Sequence, residues 1–348
     1  METKHIHVSD MRSFKSCRVK WSFTSPMKGG WAPKTTPKAL KVGTLVHQSL
    51  DLWYQNRSVK LSTCWEKIWN AELVRIACEE IDISVEDQVE LRDKVAGILS
   101  TYANWANQND HYEVVHIEQA FEVPLMESKG VYLAGKMDQI VRDPQTGMLW
   151  VRDFKVTTAD FLEYTRYLQD QDDQARAYYY AVKLLFPDEN IGGVIFTLLR
   201  SKKPTVPELL KSGKGLSKAA IDTTEAVFLR QIQKYGLVRE EYDEILQSLR
   251  TKALTRPWVS ERRLVFSHSE IAEWLRRTKS VVLTMLSESP MLWTADFFTC
   301  KGCAFRNPCA SRLRGDETHA QSLLETHYTA GRWAMEALEL QEEVESTE

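Results

Sequence analysis

The sequence predicts an α/β protein with a small mixed sheet flanked by helices and with helical additions at both ends. Two patterns predict this fold class. Between 112 and 157, apolar residues alternate with polar ones in short runs separated by turn residues, as in strands. Before and after this region, apolar residues recur at helical spacing. We therefore expect an N-terminal helical region over 1–110, a core over 111–200 and a C-terminal helical region over 201–348.

Length and composition are those of a globular protein larger than one average domain. The chain has 348 residues, of which 43% are hydrophobic and 27% are charged. No apolar run approaches the roughly 20 residues that span a bilayer. The N-terminus also lacks the apolar segment of a secretion signal. We expect a cytoplasmic protein with no membrane association.

Four helices are expected in the N-terminal region. Their predicted starts are Ser9, Pro37, Ser62 and Ser84, and the three serines can act as caps. Cys17 is expected in the middle of the first helix. Cys64 and Cys78 are expected in the helical core, as small hydrophobic residues.

Basic residues are concentrated in two stretches, although the net charge is -3. Residues 11–50 contain eight Lys or Arg and no Asp or Glu, and residues 200–218 contain six Lys or Arg and one acid, Glu208. Such runs are often solvated faces. The alternative is that both stretches, including Lys202 and Lys203, line a channel for nucleic acid.

The candidate catalytic residues lie in the segment GKMDQIVRDPQTGMLWVRDFKVT, at 135–157. Gly147 suits the turn of a hairpin. Asp153 and Lys155 lie on one face of the second strand, since side chains alternate with a period of two, and Asp138 lies on the partner strand. A buried carboxylate needs a compensating cation. These residues therefore suggest a divalent metal beside a catalytic amine, although a surface salt bridge has the same composition.

Helix and strand are both expected after this hairpin. A helix from Gln171 to Leu185 places Gln174 and Tyr178 four residues apart on one face, which is usually no more than a helix surface. The run GVIFTLL, at 193–199, predicts a buried strand that closes the sheet. Further helices are expected at 218–235, 239–252 and 267–288.

Three of the six cysteines form the pattern C-x2-C-x5-C at Cys300, Cys303 and Cys309. Disulfides are not expected in a reducing compartment. The clustered thiols therefore suggest a metal site.

The order of these residues resembles the RecB-like branch of the PD-(D/E)XK nucleases. The residues that carry the resemblance are His47, Asp138, Asp153, Phe154, Lys155, Gln174 and Tyr178. One cysteine ahead of the core and three behind it are similar to the iron-sulfur subset, which includes the AddB subunit and the CRISPR adaptation nuclease. The stretch at 207–225 also resembles phage-encoded members.

The resemblance implies a restriction endonuclease-like core and a role for each residue. The implied metal ligands are His47, Asp138, Asp153 and the backbone carbonyl of Phe154, with Glu118 as a further candidate. Asp138, Asp153 and Lys155 would be catalytic, and Gln174 and Tyr178 would contact DNA or support the site. The metal would be Mg²⁺ or Mn²⁺, because carboxylates prefer such hard cations.

The resemblance further makes Cys17, Cys300, Cys303 and Cys309 the ligands of a structural 4Fe-4S cluster that ties the two helical regions together. Four thiolates can also bind Zn²⁺. A zinc ribbon prefers two C-x2-C pairs and this chain has one, which favours the iron-sulfur cluster over zinc.

The predicted function is a metal-dependent DNA nuclease, acting from ends or on single strands, in DNA recombination, repair or phage DNA processing. The alternative is a non-catalytic DNA-binding or scaffold subunit that keeps the fold. The presence of Asp138, Asp153 and Lys155 disfavours that alternative. A third possibility, an iron-sulfur redox protein, lacks a flavin or nicotinamide motif. Since there is no Walker motif, unwinding would need a helicase or recombination partner.

Overall fold

The computed structural model describes residues 3–34, 38–78, 83–170, 172–211, 213, 215–217, 221–287 and 296–331. Its main sheet is mixed and has six strands: β1 (Lys4–Ile6), β3 (Glu113–Met126), β4 (Val131–Arg142), β5 (Leu149–Thr157), β6 (Ile191–Arg200) and β7 (Val259–Leu264). A separate two-stranded sheet pairs β2 (Ala32–Pro33) with β8 (Tyr328–Thr329).

Helices lie on both faces of the main sheet. The first five are α1 (Val8–Ser16), α2 (Arg18–Thr24), α3 (Lys38–Gln55), α4 (Leu61–Cys78) and α5 (Val85–Asn109). Between β5 and β6 are α6 (Phe161–Asp170) and α7 (Asp173–Leu185), and between β6 and β7 are α8 (Glu225–Lys234) and α9 (Asp243–Thr255). The last four are α10 (His268–Leu286), α11 (Phe297–Lys301), α12 (Arg306–Leu313) and α13 (Glu317–His327). Short 3₁₀ turns occur at Glu127–Lys129 and Arg239–Tyr242.

The sheet combines an antiparallel unit with a parallel crossover. Strands β3, β4 and β5 are antiparallel neighbours, and β5 is parallel to β6 through α6 and α7. The predicted hairpin is therefore confirmed, and Gly147 has the positive φ, 72°, that its turn requires. The expectation that 193–199 closes the sheet is wrong, because β7 pairs along the other edge of β6.

Two apolar cores cover the two faces of the sheet. One packs α1, α7 and α10 against it, and the other packs α3, α4 and α5. Along β5, Val151 belongs to the first core and Phe154 to the second, as alternation requires. Both cores take residues from all three predicted regions, so the division at 110 and 200 stays a prediction.

Several helix predictions need correction. Ser84 caps α5 as expected, accepting a hydrogen bond from the amide of Asp87 at 3.0 Å. Cys17 does not lie within a helix: α1 ends at Ser16, and Cys17 is the N-terminal cap of α2. Cys64 is buried as expected, but Cys78 is exposed, because it lies at the end of α4 beyond the residues that contact the core.

Two of the predicted segments cannot be compared with the structure. The start of the predicted helix at Gln171 and the acidic C-terminus after 331 lie outside the described residues. Within the part of the chain that is described, no helix has the length and apolar character to cross a membrane.

Candidate active site

Asp138 lies where the main sheet opens. Strand β3 pairs with one edge of β4 along its whole length. On the other edge, β1 pairs with residues 131–133 and β5 pairs with residues 139–142, which leaves 134–138 between the two strands. The carboxylate of Asp138 accepts a hydrogen bond from the amide of Phe154 at 2.8 Å, just beyond the last paired residues of β4 and β5. The side chain thus joins β4 to β5 at the edge of the opening.

His47 reaches this opening from α3. Its Nδ1 atom lies 3.2 Å from Oδ2 of Asp138. Burial favours the neutral imidazole, but the charge and hydrogen bond of Asp138 outweigh burial and raise the pKa of His47 to about 9. Burial likewise opposes ionisation of Asp138, and His47 outweighs it, so the pKa of Asp138 is lowered. The two side chains form an ion pair at neutral pH.

Asp153 and Lys155 form a second ion pair on β5. Nζ of Lys155 lies 2.7 Å from Oδ2 of Asp153, whose residue is 1% exposed. Lys155 is thus the cation that this buried oxygen faces. Burial and the nearby charge of Asp138 raise the pKa of Asp153 although Lys155 lowers it. The pKa of Lys155 is also raised, since its burial is outweighed by the two carboxylates, and the amine therefore stays protonated.

Gln174 and Tyr178 hold Lys155 from α7. Nζ of Lys155 donates to Oε1 of Gln174 at 2.9 Å, and Nε2 of Gln174 donates to the hydroxyl of Tyr178 at 2.7 Å. Tyr178 in turn donates to the backbone carbonyl of Lys136 at 2.8 Å. This chain of hydrogen bonds runs from β5 through α7 back to β4. It fits the supporting role, and contact of these two residues with DNA stays a prediction.

Glu118 lies on β3, on the far side of β4 from β5. Its φ is 52°, and it is the one non-glycine residue with a positive φ in the described part of the chain. Such a backbone costs of order 1–3 kcal/mol and is often found at functional sites. The carboxylate pairs with Lys136 at 2.9 Å.

Asp51 was missed by sequence reasoning. It follows His47 by one turn of α3, and burial together with the charges of Glu118 and Asp138 raises its pKa to about 8. Its Oδ1 atom is buried and has no hydrogen-bond partner among the described residues. The four-residue spacing from His47 was the available signal.

Arg152 was missed as well. This residue is fully buried, and its guanidinium donates to Asp110 at 2.6 Å, to the hydroxyl of Tyr54 at 3.0 Å and to Gln139 at 3.3 Å. Alternation places it on the face of β5 opposite Asp153. It therefore anchors the catalytic strand to α3 and to the end of α5.

Residues 5–310 match the family model of the PD-(D/E)XK nuclease superfamily. The chain belongs to this superfamily. Active members of the superfamily hydrolyse phosphodiester bonds with divalent metals such as Mg²⁺ or Mn²⁺. Other members are inactive. The mixed sheet flanked by helices is consistent with the superfamily fold. No curated protein matches the chain.

The donor set of this superfamily protein suits a hard divalent cation. Asp138 and Asp153 supply carboxylate oxygens and His47 supplies an imidazole, which are ligands that Mg²⁺ or Mn²⁺ accepts. Within the described ranges, no three or more His, Cys, Asp or Glu side chains are grouped closely enough to hold a metal ion. Here His47 contacts Asp138 and Lys155 contacts Asp153, so these contacts occupy the oxygens that a cation would use.

Many basic residues of this PD-(D/E)XK protein are already paired with its own carboxylates. Lys202 lies 2.8 Å from Asp222, and Lys203 lies 3.2 Å from Asp93. Three further pairs use cations from the stretch 11–50: Arg12 with Asp172, Lys15 with Asp173, and Lys41 with Glu72. The two basic stretches therefore offer fewer free cations than the sequence suggests.

Three predicted cluster cysteines are neighbours of the fourth, Cys309, although the described thiols are not grouped closely enough to hold a metal ion as they stand. Cys17, Cys303 and Cys309 contact the same small apolar core. Burial, and then the nearby thiols of Cys17, Cys303 and Cys300, raise the pKa of Cys309 to about 11. All four are free thiols. The two ends of the superfamily-matched region thus meet at these cysteines.

Proposed function

We propose that this protein is a metal-dependent DNA nuclease whose catalytic residues are Asp138, Asp153 and Lys155. The observation that supports it best is the meeting of these three side chains with His47 at the opening between β1 and β5. Three separate elements, α3, β4 and β5, bring them there. Two carboxylates, an imidazole and a protonated amine are the groups that phosphodiester hydrolysis requires.

His47, Asp138, Asp153 and the backbone carbonyl of Phe154 would hold Mg²⁺ or Mn²⁺, with Glu118 as a further candidate ligand. When bound, the cation supplies a hydroxide at neutral pH and offsets negative charge on the phosphate. The protein residues would have to exchange their present contacts for the cation: His47 would release Asp138, and Lys155 would release Oδ2 of Asp153.

Lys155 acts as a fixed positive charge. Because its amine also donates to Gln174, which Tyr178 holds in turn, Lys155 would keep a partner when Asp153 turns to a cation. A pre-positioned ammonium stabilises negative charge that develops on the phosphate and orients the attacking water.

The proposal extends to the RecB-like, iron-sulfur branch, resembling the AddB nuclease region and the CRISPR adaptation nuclease, and to a phage origin. The nearness of Cys309 to Cys17, Cys300 and Cys303 is compatible with ligation by four thiolates, and the single C-x2-C pair favours a 4Fe-4S cluster over Zn²⁺. A cytoplasmic setting, a role in recombination or repair, and a helicase or recombination partner belong to the same proposal.

DNA would follow the basic stretches 11–50 and 200–218. Lys202 and Lys203 remain proposed contacts, and a phosphate would compete there with Asp222 and Asp93. Arg18 and Lys28 have no carboxylate partner among the described residues. They would therefore bind a DNA phosphate without competition from a carboxylate.

Digestion of end-labelled linear, circular and single-stranded DNA tests the proposal. We expect cleavage with Mg²⁺ or Mn²⁺ and none with EDTA. Cleavage of linear but not circular DNA would indicate an exonuclease. Binding of DNA without any cleavage, under all these conditions, would instead favour the non-catalytic DNA-binding subunit.

A further inference from the structure

A pocket of about 610 Å³ lies away from the catalytic residues, between α5, the start of α8, the end of α9 and the carboxyl end of β6. Its size is that of a small-molecule site. In the parallel register of β5 and β6, Arg200 at the edge of this pocket pairs with Thr157. Thr157 is two residues, roughly 7 Å of strand, beyond Lys155. The pocket and the catalytic amine therefore lie near the same end of the sheet, with the pocket against α5 and the amine of Lys155 against α7 on the other face.

The walls of the pocket carry an excess of positive charge. Its acids, Asp222 and Glu225, are each paired with an arginine, at 2.8 Å to Arg200 and at 2.6 Å to Arg250. Two more cations, Lys252 and Arg256, are exposed and have no carboxylate partner in the described part of the chain. The free charge is thus positive, which favours an anionic ligand.

Planar groups line the same pocket. The guanidinium of Arg200 lies 4.0 Å from the centre of the Trp258 ring, which fixes its plane. Trp105 lines another wall and is only half-buried. Guanidinium and indole planes are surfaces on which nucleobases stack. The exposed amides of Asn104 and Gln108, four residues apart on α5, can both donate to and accept from a base edge.

One buried polar group in the pocket has no partner. Thr223 is 5% exposed, and its hydroxyl makes no hydrogen bond with any described residue. The next residue differs, since the hydroxyl of Thr224 caps α8 by accepting from the amide of Val227 at 3.1 Å. Buried polar groups are rarely left without a hydrogen bond. A ligand that reached the hydroxyl of Thr223 would supply its missing partner.

We propose that this pocket binds one nucleotide, with its base near Trp105 and Arg200 and its phosphate near Lys252 and Arg256. The inference rests on the proposed nuclease function, which it deepens by adding a second contact point for the substrate strand. The nucleotide is either a unit of single-stranded DNA or a free mononucleotide, because both present the same base and phosphate.

Two variants test this pocket by fluorescence anisotropy with a labelled oligothymidylate in EDTA. Lys252→Gln with Arg256→Gln should weaken binding roughly 5- to 20-fold at moderate salt and flatten the salt dependence by about 0.7, the value for one lost phosphate contact on a single strand. The matched control is Arg239→Gln, an exposed cation in the connection between α8 and α9, at the opposite end of both helices from the pocket. It should leave affinity and slope unchanged.

Thr223→Val distinguishes binding in the pocket from binding through surface charge alone, because it changes no charge. The change removes the unpartnered hydroxyl and keeps the shape of the side chain, so the melting temperature should stay level or rise while oligothymidylate affinity falls about 3-fold or more. A lower melting temperature with unchanged affinity would overturn the assignment of Thr223. Unchanged binding in both variants would overturn the pocket.

Thymidine 5′-monophosphate distinguishes the two sources. A melting-temperature rise that is lost in the Lys252/Arg256 variant identifies a site for free mononucleotide, whereas no rise, with the oligothymidylate losses intact, identifies a site for a strand. Because binding in EDTA needs no cleavage, a protein that binds as predicted but never cuts would refute the nuclease proposal alone. A protein that cuts, with unchanged binding in the variants, would refute the pocket alone.

Discussion

The amine of Lys155 contacts the carboxylate of Asp153 on one side and the amide of Gln174 on the other. Its positive charge is therefore both fixed in place and kept, because the carboxylates raise its pKa. A group held in this way contributes to catalysis through the transition state more than through binding of the substrate.

Lys155→Ala should reduce cleavage of labelled DNA by about 10²- to 10⁴-fold. DNA affinity and melting temperature should change little when Mg²⁺ is present, since the cation then compensates Asp153. Lys183→Ala, which removes an exposed lysine from α7, is the matched control and should keep the wild-type rate. Full cleavage by the Lys155 variant would contradict the catalytic role.

Asp10 on α1 is a buried carboxyl outside the site. Burial raises its pKa to about 6, although the hydroxyl of Ser25 donates a hydrogen bond to it at 3.3 Å. Because the folded-state pKa lies above the ordinary value of 3.8, the folded protein favours the protonated form, and stability falls as the pH rises through this interval.

Asp10→Asn should therefore stabilise the protein at about pH 8 by on the order of 1–3 kcal/mol and have little effect near pH 4. Urea unfolding at the two pH values measures this difference. Glu86→Gln, an exposed acid in the first turn of α5, is the control and should show no such dependence. An equal effect of Asp10→Asn at both pH values would mean that ionisation is not the cause.

Residue patterns identified the acids and the lysine of the candidate site but not their whole surroundings. Asp153 and Lys155 were predicted to share a face because alternation along one strand is local. Asp51 and Arg152 were missed because their surroundings are set by distant segments: Asp51 by Glu118, and Arg152 by Asp110. Such contacts follow from tertiary packing, which a single sequence does not reveal.

At the scale of elements, the opening in the sheet depends on β1. The hairpin of β4 and β5 could be predicted from its turn and its alternating residues. Strand β1 has only three residues, too few for any periodicity, and β7 includes the charged run Glu261–Arg263. Neither strand was predicted. The location of Asp138 between two strand partners therefore became visible only in the structure.

The buried pair of Arg152 and Asp110 links three elements, and its loss should weaken all of them. Burial opposes ionisation of Asp110, but Arg152 outweighs it and lowers the pKa of Asp110. Asp110→Asn leaves the guanidinium buried without its counter-charge, so we expect a loss of about 3 kcal/mol in the free energy of unfolding.

Urea unfolding near neutral pH measures this loss, because Asp110 is ionised there in both states. Asp93→Asn is the control: it breaks the exposed pair with Lys203 and should cost under about 0.5 kcal/mol. A loss as small as the control's would show that Arg152 does not depend on Asp110.

Over the whole molecule, the two ends of the described chain meet in one small core. The ring of Phe305 stacks on Phe23 at 5.3 Å and on Tyr328 at 4.7 Å. Lys34 donates to the backbone carbonyls of Glu325 and Thr326. This contact between N- and C-terminal segments joins the helical regions through apolar packing, these hydrogen bonds and the pairing of β2 with β8, and the cysteines lie beside it.

If the proposed cluster joins the two chain ends, loss of one ligand thiol should release the metal and destabilise this contact. Cys17→Ser should remove bound iron and lower the free energy of unfolding by about 4 kcal/mol or more, the chain-entropy value for a cross-link over a long loop. Elemental analysis of anaerobically purified protein should find about four irons per chain before the change.

Substitution of two other cysteines distinguishes instability caused by loss of metal from instability caused by loss of packing. Cys64→Ser changes a thiol in the core of α3, α4 and α5, so it should cost stability but keep the iron. Cys78→Ser changes an exposed thiol and should alter neither. If the purified protein contains stoichiometric zinc and no iron, the metal that links the chain ends is zinc rather than a 4Fe-4S cluster. If Cys17→Ser behaves like Cys64→Ser, the chain ends are held by Phe23, Phe305 and Tyr328, and no cluster joins them.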